Sequence, residues 1–172
     1  MELASLHELY VEGLRDLYSA EGQILKALPK LHKAATSPKV KEAFAAHIAQ
    51  TEEHVARLEQ ICTELDVSPS GKHCKGMEGL VAEGADLIKE DADPDVLDAG
   101  LISSAQHVEH YEMAGYGTVR TYAQLLGYPA QAALLQRTLD EEQATDLLLT
   151  EVAMTVNVDA IVSAESEAAN EK

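Results

Sequence analysis

Tryptophan is missing from this sequence, phenylalanine occurs once, and basic residues are scarce, with 13 Lys and Arg against 30 Asp and Glu. The formal net charge of −17 repels phosphate backbones and anionic lipid surfaces, which argues against nucleic acid or a membrane surface as partner. No run of about 18 apolar residues is present to span a bilayer, and the opening MELASLHELY lacks the basic and apolar regions of a secretory signal. A cytoplasmic location is expected. The two cysteines, Cys62 on an apolar stripe and Cys74 in a connecting segment, form neither a disulfide framework nor a zinc spacing. With five prolines, ten glycines and no convincing strand alternation, the abundant Ala, Leu and Glu predict an all-α protein. The 172 residues, 46% of them hydrophobic, suffice for one well-buried domain and not for two substantial ones.

What is present is helical periodicity. One apolar face runs from about Leu3 to His32, and a second from Pro38 to Leu65, where Ser37-Pro38 supplies an N-cap and a proline at the first helical position. A third starts after Asp93-Pro94 and closes at Gly127, and a fourth opens at Pro129. Residues 66–95 read as a crossover holding one short amphipathic piece, Met77 to Ile88. A long second connection distinguishes the ferritin-like antiparallel four-helix bundle from an up-down-up-down bundle, which needs only short loops. The expected domain is residues 1–157, followed by an acidic tail, 158–172, expected to fray.

The apolar faces carry acids. At about 100° per residue, Glu112 falls in the middle of the third face, with Glu109 on its shoulder. Glu21 is central on the first face and Glu142 on the fourth, with Asp146 one turn on, while the second face carries His47 and His54 along its inward edge and Gln50 between them. Burying an isolated carboxylate costs several kcal/mol, so such groups are paired, protonated or bound to a metal. No Lys or Arg shares the inward stripe of these acids, and oxygen ligands with one or two imidazoles suit iron or manganese. The separations agree with two related hairpins: Glu21 to His54 is 33 residues and Glu112 to Asp146 is 34. Glu21, His54, Glu109, Glu112, Glu142, Asp146, His47 and Gln50 are therefore the expected metal residues, near mid-height, for one or two ions per chain. Protonated or water-linked acids in a bundle without metal are the competing reading, since buried polar networks persist without ions. Tyr18 and Tyr116 lie near the same level, where core packing is the simpler role, and His107 and His110 face outward.

The segments DLYSAEGQILKALPKL (16–31), HxxQTxxHVxRLEQI (47–61), HCKGMEGL (73–80), AQHVEHYEMAGYGT (105–118) and LDEEQATDLLLTEVA (139–153) resemble the YciE/YciF-like stress-protein family of the ferritin-like superfamily. The resemblance implies a rubrerythrin-like bundle, often dimeric, linked to bacterial stress responses. The wider superfamily places a His three residues after a Glu on the second and fourth helices; here Thr51 precedes His54 by three and Thr145 follows Glu142 by three. Gln50 stands where a carboxylate would help bridge two ions. Two functions follow as expectations. One is a di-metal oxidoreductase, peroxidase- or catalase-like, acting on peroxide or oxygen as a homodimer; the other is a non-enzymatic structural or interaction protein with a degenerate or empty site. Storage of iron in a hollow shell is disfavoured, because nothing in the sequence specifies a large assembly.

Overall fold

The computed structural model describes the backbone of residues 3–170 and side chains as far as residue 162. Five helices and no strand occur among the described residues: α1 (Leu6–Ala34), α2 (Pro38–Glu64), α3 (Lys75–Leu87), α4 (Pro94–Leu125) and α5 (Pro129–Asn170). Sequence punctuation sets most of the ends. Ser5 accepts from the Glu8 amide at 3.2 Å while the Glu8 carboxylate reaches back to the Ala4 amide and the Ser5 hydroxyl, a reciprocal cap that starts α1 three residues later than its apolar face suggests. Gly127, at φ 80°, ends α4 with Tyr128 N–H donating to the Ala123 carbonyl and Gly127 N–H to that of Gln124. Ser37 precedes Pro38 as expected, but its hydroxyl makes no capping bond. Instead Asp98 of α4, fully buried, accepts from the amides of Thr36 and Ser37 at 2.9 and 2.6 Å and from the Thr36 hydroxyl at 2.6 Å. That carboxylate fixes the α1–α2 turn to the start of α4.

The four long helices make two hairpins, α1–α2 and α4–α5, packed side by side. Residue pairs show α1 antiparallel to α4, with Gly13 against Val119 and Leu17 against Gly115. In the same way α2 is antiparallel to α5, with Arg57 on Thr138 and Gln50 on Thr145. A Cβ at Gly115 would sit 2.7 Å from Leu17 Cδ2, so glycine sets the close approach of these helices. Helix α3 lies within the crossover and packs on α1 and α4. It is tied down at Cys74, whose amide donates to Ser19 Oγ at 2.9 Å and whose thiol lies 2.9 Å from the Tyr111 hydroxyl. Cys62 is buried in the core, as the sequence suggests.

The core has two apolar halves. One is built around Ile24, Leu28, Phe44, Leu101, Ile102, Leu149 and Val152, the other around Tyr10, Leu14, Leu58, Ile61, Val119 and Leu135. On each long helix the change from one half to the other falls at the acids or histidines. Helix α5 runs past Asn157 to Asn170, and residues 171–172 of the expected tail lie outside the described residues. Val158, Ile161 and Val162 in that extension are exposed.

Candidate metal centre

Glu21, His47, His54, Glu109, Glu112 and Glu142 meet in the layer between the two apolar halves, and none is more than 3% exposed. Helix periodicity places each of them: every helix that crosses the core must put some residue at this level, and in this chain that residue is ionisable. Their donor atoms form two groups, each with all ligand atoms within 4.8 Å of one another: His47, Glu109, Glu112 and Glu142 in one, Glu21, His54 and Glu142 in the other. Glu142 belongs to both. His47 Nε2 lies 3.2 Å from Glu109 Oε1 and 4.0 Å from Glu142 Oε2, and His54 Nδ1 lies 2.9 Å from Glu142 Oε1 and 3.5 Å from Glu21 Oε1.

The polar atoms are poorly satisfied. Ten buried side-chain polar atoms among the described residues lack a partner of hydrogen-bond geometry, and nine of them belong to these six residues, including both oxygens of Glu112; His47 Nε2, His54 Nδ1 and the Glu142 oxygens have only the ion-pair contacts just given. Native proteins leave few such groups, and each needs an explanation. Two divalent cations carry the charge that four carboxylates balance, and they would take up the orphaned lone pairs together. The donor set of oxygens and imidazole nitrogens suits iron or manganese, so the residues fit the group that the sequence implies.

Electrostatics describe the same strain. Burial, with the charges of Glu142 and Glu21, holds Glu112 well above the usual carboxylate range, and burial with Glu142 does the same for Glu109. Glu21 is raised by burial despite the relief His54 gives it. For Glu142 burial also pushes upward, but the two histidines outweigh it and the carboxyl is lowered. Burial disfavours the His54 imidazolium, yet Glu142 and Glu21 overcome that and carry its pKa to about 10. Acids pushed apart in this way beside a charged imidazole mark a site poised to exchange protons for a cation.

Around this cluster sit groups that sequence reasoning missed or undervalued. Glu141 accepts from His54 Nε2 at 3.0 Å and is itself gripped by Arg57 at 2.5 and 3.1 Å and by Arg137 at 3.1 Å. Burial opposes ionisation of Glu141, but these cations lower its pKa to about 2, so it is an anion throughout the physiological range. The Nε2 proton of His54 is thereby held outward and Nδ1 faces the cluster, as a second-layer carboxylate does for metal-bound imidazoles. The signal was local: Arg57 follows His54 by three residues and Glu141 precedes Glu142, but both lie at the edge of the inward stripe. Tyr116 donates a short hydrogen bond to Glu21 Oε1, a closer role than packing, whereas Tyr18 reaches Glu59 on the outside.

Of the expected residues, Asp146 stands apart from both groups, and Gln50 bonds a neighbouring threonine. Asp146 turns to the α4–α5 edge, where Gln106 donates to it at 3.1 Å and exposed His110 lies 3.4 Å away. Gln50 accepts from Thr145 at 3.3 Å. Thr51 and Thr145, at the positions that depart from the superfamily pattern, return their hydroxyls to carbonyls of their own helices. The half-repeat read from spacing is therefore unequal in three dimensions. His54 turns inward and its counterpart Asp146 does not; Glu142 is fully buried, whereas its counterpart Gln50 is half-buried and bonded to Thr145.

No described helix is long and apolar enough to cross a membrane. Residues 5–162 match the family model described as a domain of unknown function, DUF892. Protein YciF of Escherichia coli K12 is 41% identical over 155 residues, covering 90% of this chain and 93% of that protein. The crystal structure of that E. coli stress protein superposes with a TM-score of 0.86 at 40% identity, over 89% of this chain and 97% of the other. YcfI of Rhodopseudomonas palustris, described as a candidate structural protein, gives 0.84 at 38% identity over 87% and 95%. A Xanthomonas campestris protein at 20% identity shares the fold, with a TM-score of 0.79 over 94% and 99%. Sequence, bundle and buried cluster thus converge, and the chain belongs to the DUF892 family, whose members here include the stress protein YciF.

Proposed function

We propose that this protein is a cytoplasmic, homodimeric stress protein that binds two iron or manganese ions in the mid-height layer. His47, Glu109, Glu112 and Glu142 hold one ion and Glu21, His54 and Glu142 the other, with Glu142 shared. The nine orphaned polar atoms in one layer carry the proposal. A bound redox ion would supply electron transfer to dioxygen or peroxide. The chain's own part is to hold and shield: Glu141 fixes the His54 ring, Tyr116 donates to Glu21 and steadies its carboxylate, and the apolar halves keep bulk water out. Purified protein stripped with chelator and reloaded anaerobically with Fe(II) or Mn(II) should retain two ions per chain by elemental analysis, one for each group. Retention of less than a few tenths of an ion defeats the proposal. A structural role without catalysis is the second reading, favoured by the description of YcfI and by Asp146 standing outside both groups. Under that reading chelation leaves the melting temperature unchanged and peroxide is not consumed.

A further inference from the structure

A cavity of about 80 Å³ lies between α1, α3 and α4, and its inner end is formed by His47 and Glu109. Its walls are the side chains of Ile24, Leu28, Leu31, Val81, Ile88 and Val108, and the lysines Lys26 and Lys30 stand at its rim. The bundle alone would not make this space. Helix α3, laid over α1 and α4 and bearing Gly84 where a larger side chain would point inward, roofs it. Nδ1 of His47 and one oxygen of Glu109 lack a partner, and His47 Nε2 has only its ion-pair contacts, so the inner end is polar while the approach is largely apolar.

Size and chemistry together restrict the occupant. The volume is about half of the roughly 150 Å³ that accommodates a benzene-sized ligand, which leaves room for a molecule of two or three heavy atoms. Along the approach six aliphatic side chains offer nothing to hydrogen-bond, and of the two uncharged polar ones, Gln23 and Ser104, Gln23 already donates to the Cys74 carbonyl. A peroxide crossing this largely aliphatic approach would lose water at both hydroxyls for little replacement before the His47–Glu109 end, whereas a nonpolar diatomic has no hydrogen bonds to lose. We infer that this cavity is a binding and entry site for dioxygen, admitting it to the His47–Glu109 side of the cluster in preference to hydrogen peroxide. The inference rests on the metal-binding reading above and narrows its substrate from peroxide or oxygen to oxygen.

Two measurements test it, one of which needs no metal. Xenon, dissolved under pressure into the metal-free full-length chain, should shift the methyl resonances of Leu31, Val81 and Val108 in the parent and leave them unmoved in Gly84→Val. A Cβ at Gly84 meets Leu31 and Ser104 only at an ordinary 3.7 Å, so valine there fits the helix and fills the void. In the second measurement Fe(II)-loaded protein is mixed with either oxidant. Each Fe(II) gives one electron, and dioxygen takes two of these with two protons to leave hydrogen peroxide. Gly84→Val should slow oxidation by dioxygen about tenfold or more and change oxidation by added peroxide less than about twofold, while Val81→Ala, which widens the cavity, should speed the dioxygen reaction only. Ala27→Val on α1 repeats the blockade should Gly84→Val misfold. An unshifted parent under xenon overturns the cavity site, and equal slowing of both oxidants overturns the selectivity. Failure of the parent to retain iron defeats the proposed function instead, and the xenon result then stands on its own.

Discussion

Substituting Glu112 by Gln separates the metal-binding role of this carboxyl from its structural one, because the two have opposite signs. In the metal-free protein Glu112 is fully buried, both its oxygens lack hydrogen-bond partners, and burial with the charges of Glu142, Glu21 and Glu109 favours its neutral form. Gln is a neutral group of the same shape, so metal-free E112Q should melt within about 2 °C of the parent, or above it. With ion present the balance reverses. Free ion at 100 times its Kd stabilises the folded state by about 2.7 kcal/mol. Each kcal/mol moves the melting temperature of a chain this size by roughly 2–4 °C, so loading should raise that of the parent by about 5–11 °C. Removal of a charged ligand from the four-residue group should abolish the part of that rise that its ion supplies. The assay is thermal unfolding followed by far-UV circular dichroism, with Fe(II), with Mn(II) and with chelator. An E112Q protein that keeps the full metal-dependent rise refutes the ligand assignment. One that collapses without metal shows that the carboxylate was paired structurally.

Three further outcomes follow from the same geometry. Loading the ion must displace protons from Glu21, Glu109 and Glu112, whose pKa values are raised, and from His54, so affinity should rise with pH. Calorimetry in two buffers of different ionisation enthalpy should therefore report net proton release, and an identical heat in both contradicts it. Glu141→Gln should cost about 2 kcal/mol near neutral pH, since it leaves Arg57 without its anion. Because the folded pKa of Glu141 is lowered to about 2, its stabilisation is complete above the unfolded carboxylate value, and the gap between variant and parent should close as pH falls from there towards about 2 in denaturant titrations. Asp98→Ala strips three hydrogen bonds from the α1–α2 turn and should cost about 3 kcal/mol, seen as a fall of roughly 6–12 °C in melting temperature with metal stoichiometry unchanged.

The helices were legible because their apolar faces repeat without interruption and their ends carry Pro38, Pro94, Gly127 and Pro129, which act through the local backbone alone. Glu21, Glu112 and Glu142 were legible for the same reason, since a residue central on such a face has only the core to enter. Edge residues were legible only in part, for Glu109, His47 and His54 do reach the layer while others do not. Asp146 is one turn beyond Glu142 and about 40° round the helix, and Gln106 and His110 on α4 draw it to the surface. Whether an edge side chain turns in or out depends on the neighbouring helix, and Arg57 and Glu141 were overlooked on that account. The cavity could not be read from sequence at all. It arises from how α3 lies over two other helices, and no periodicity within one segment encodes that.

The two oily compartments of this protein meet across a seam of acids and imidazoles, and such a seam is where a small domain would be expected to come apart. Here it does not mark a boundary between separable parts. Helices α1, α2 and α4, of 29, 27 and 32 residues, pass through the seam without a break, and α5 does the same. Parting the compartments would mean snapping continuous hydrogen-bonded rods in mid-length. The long rods therefore act as splints, and they let the chain keep a crowded, like-charged centre in readiness, intact before any cation arrives to neutralise it.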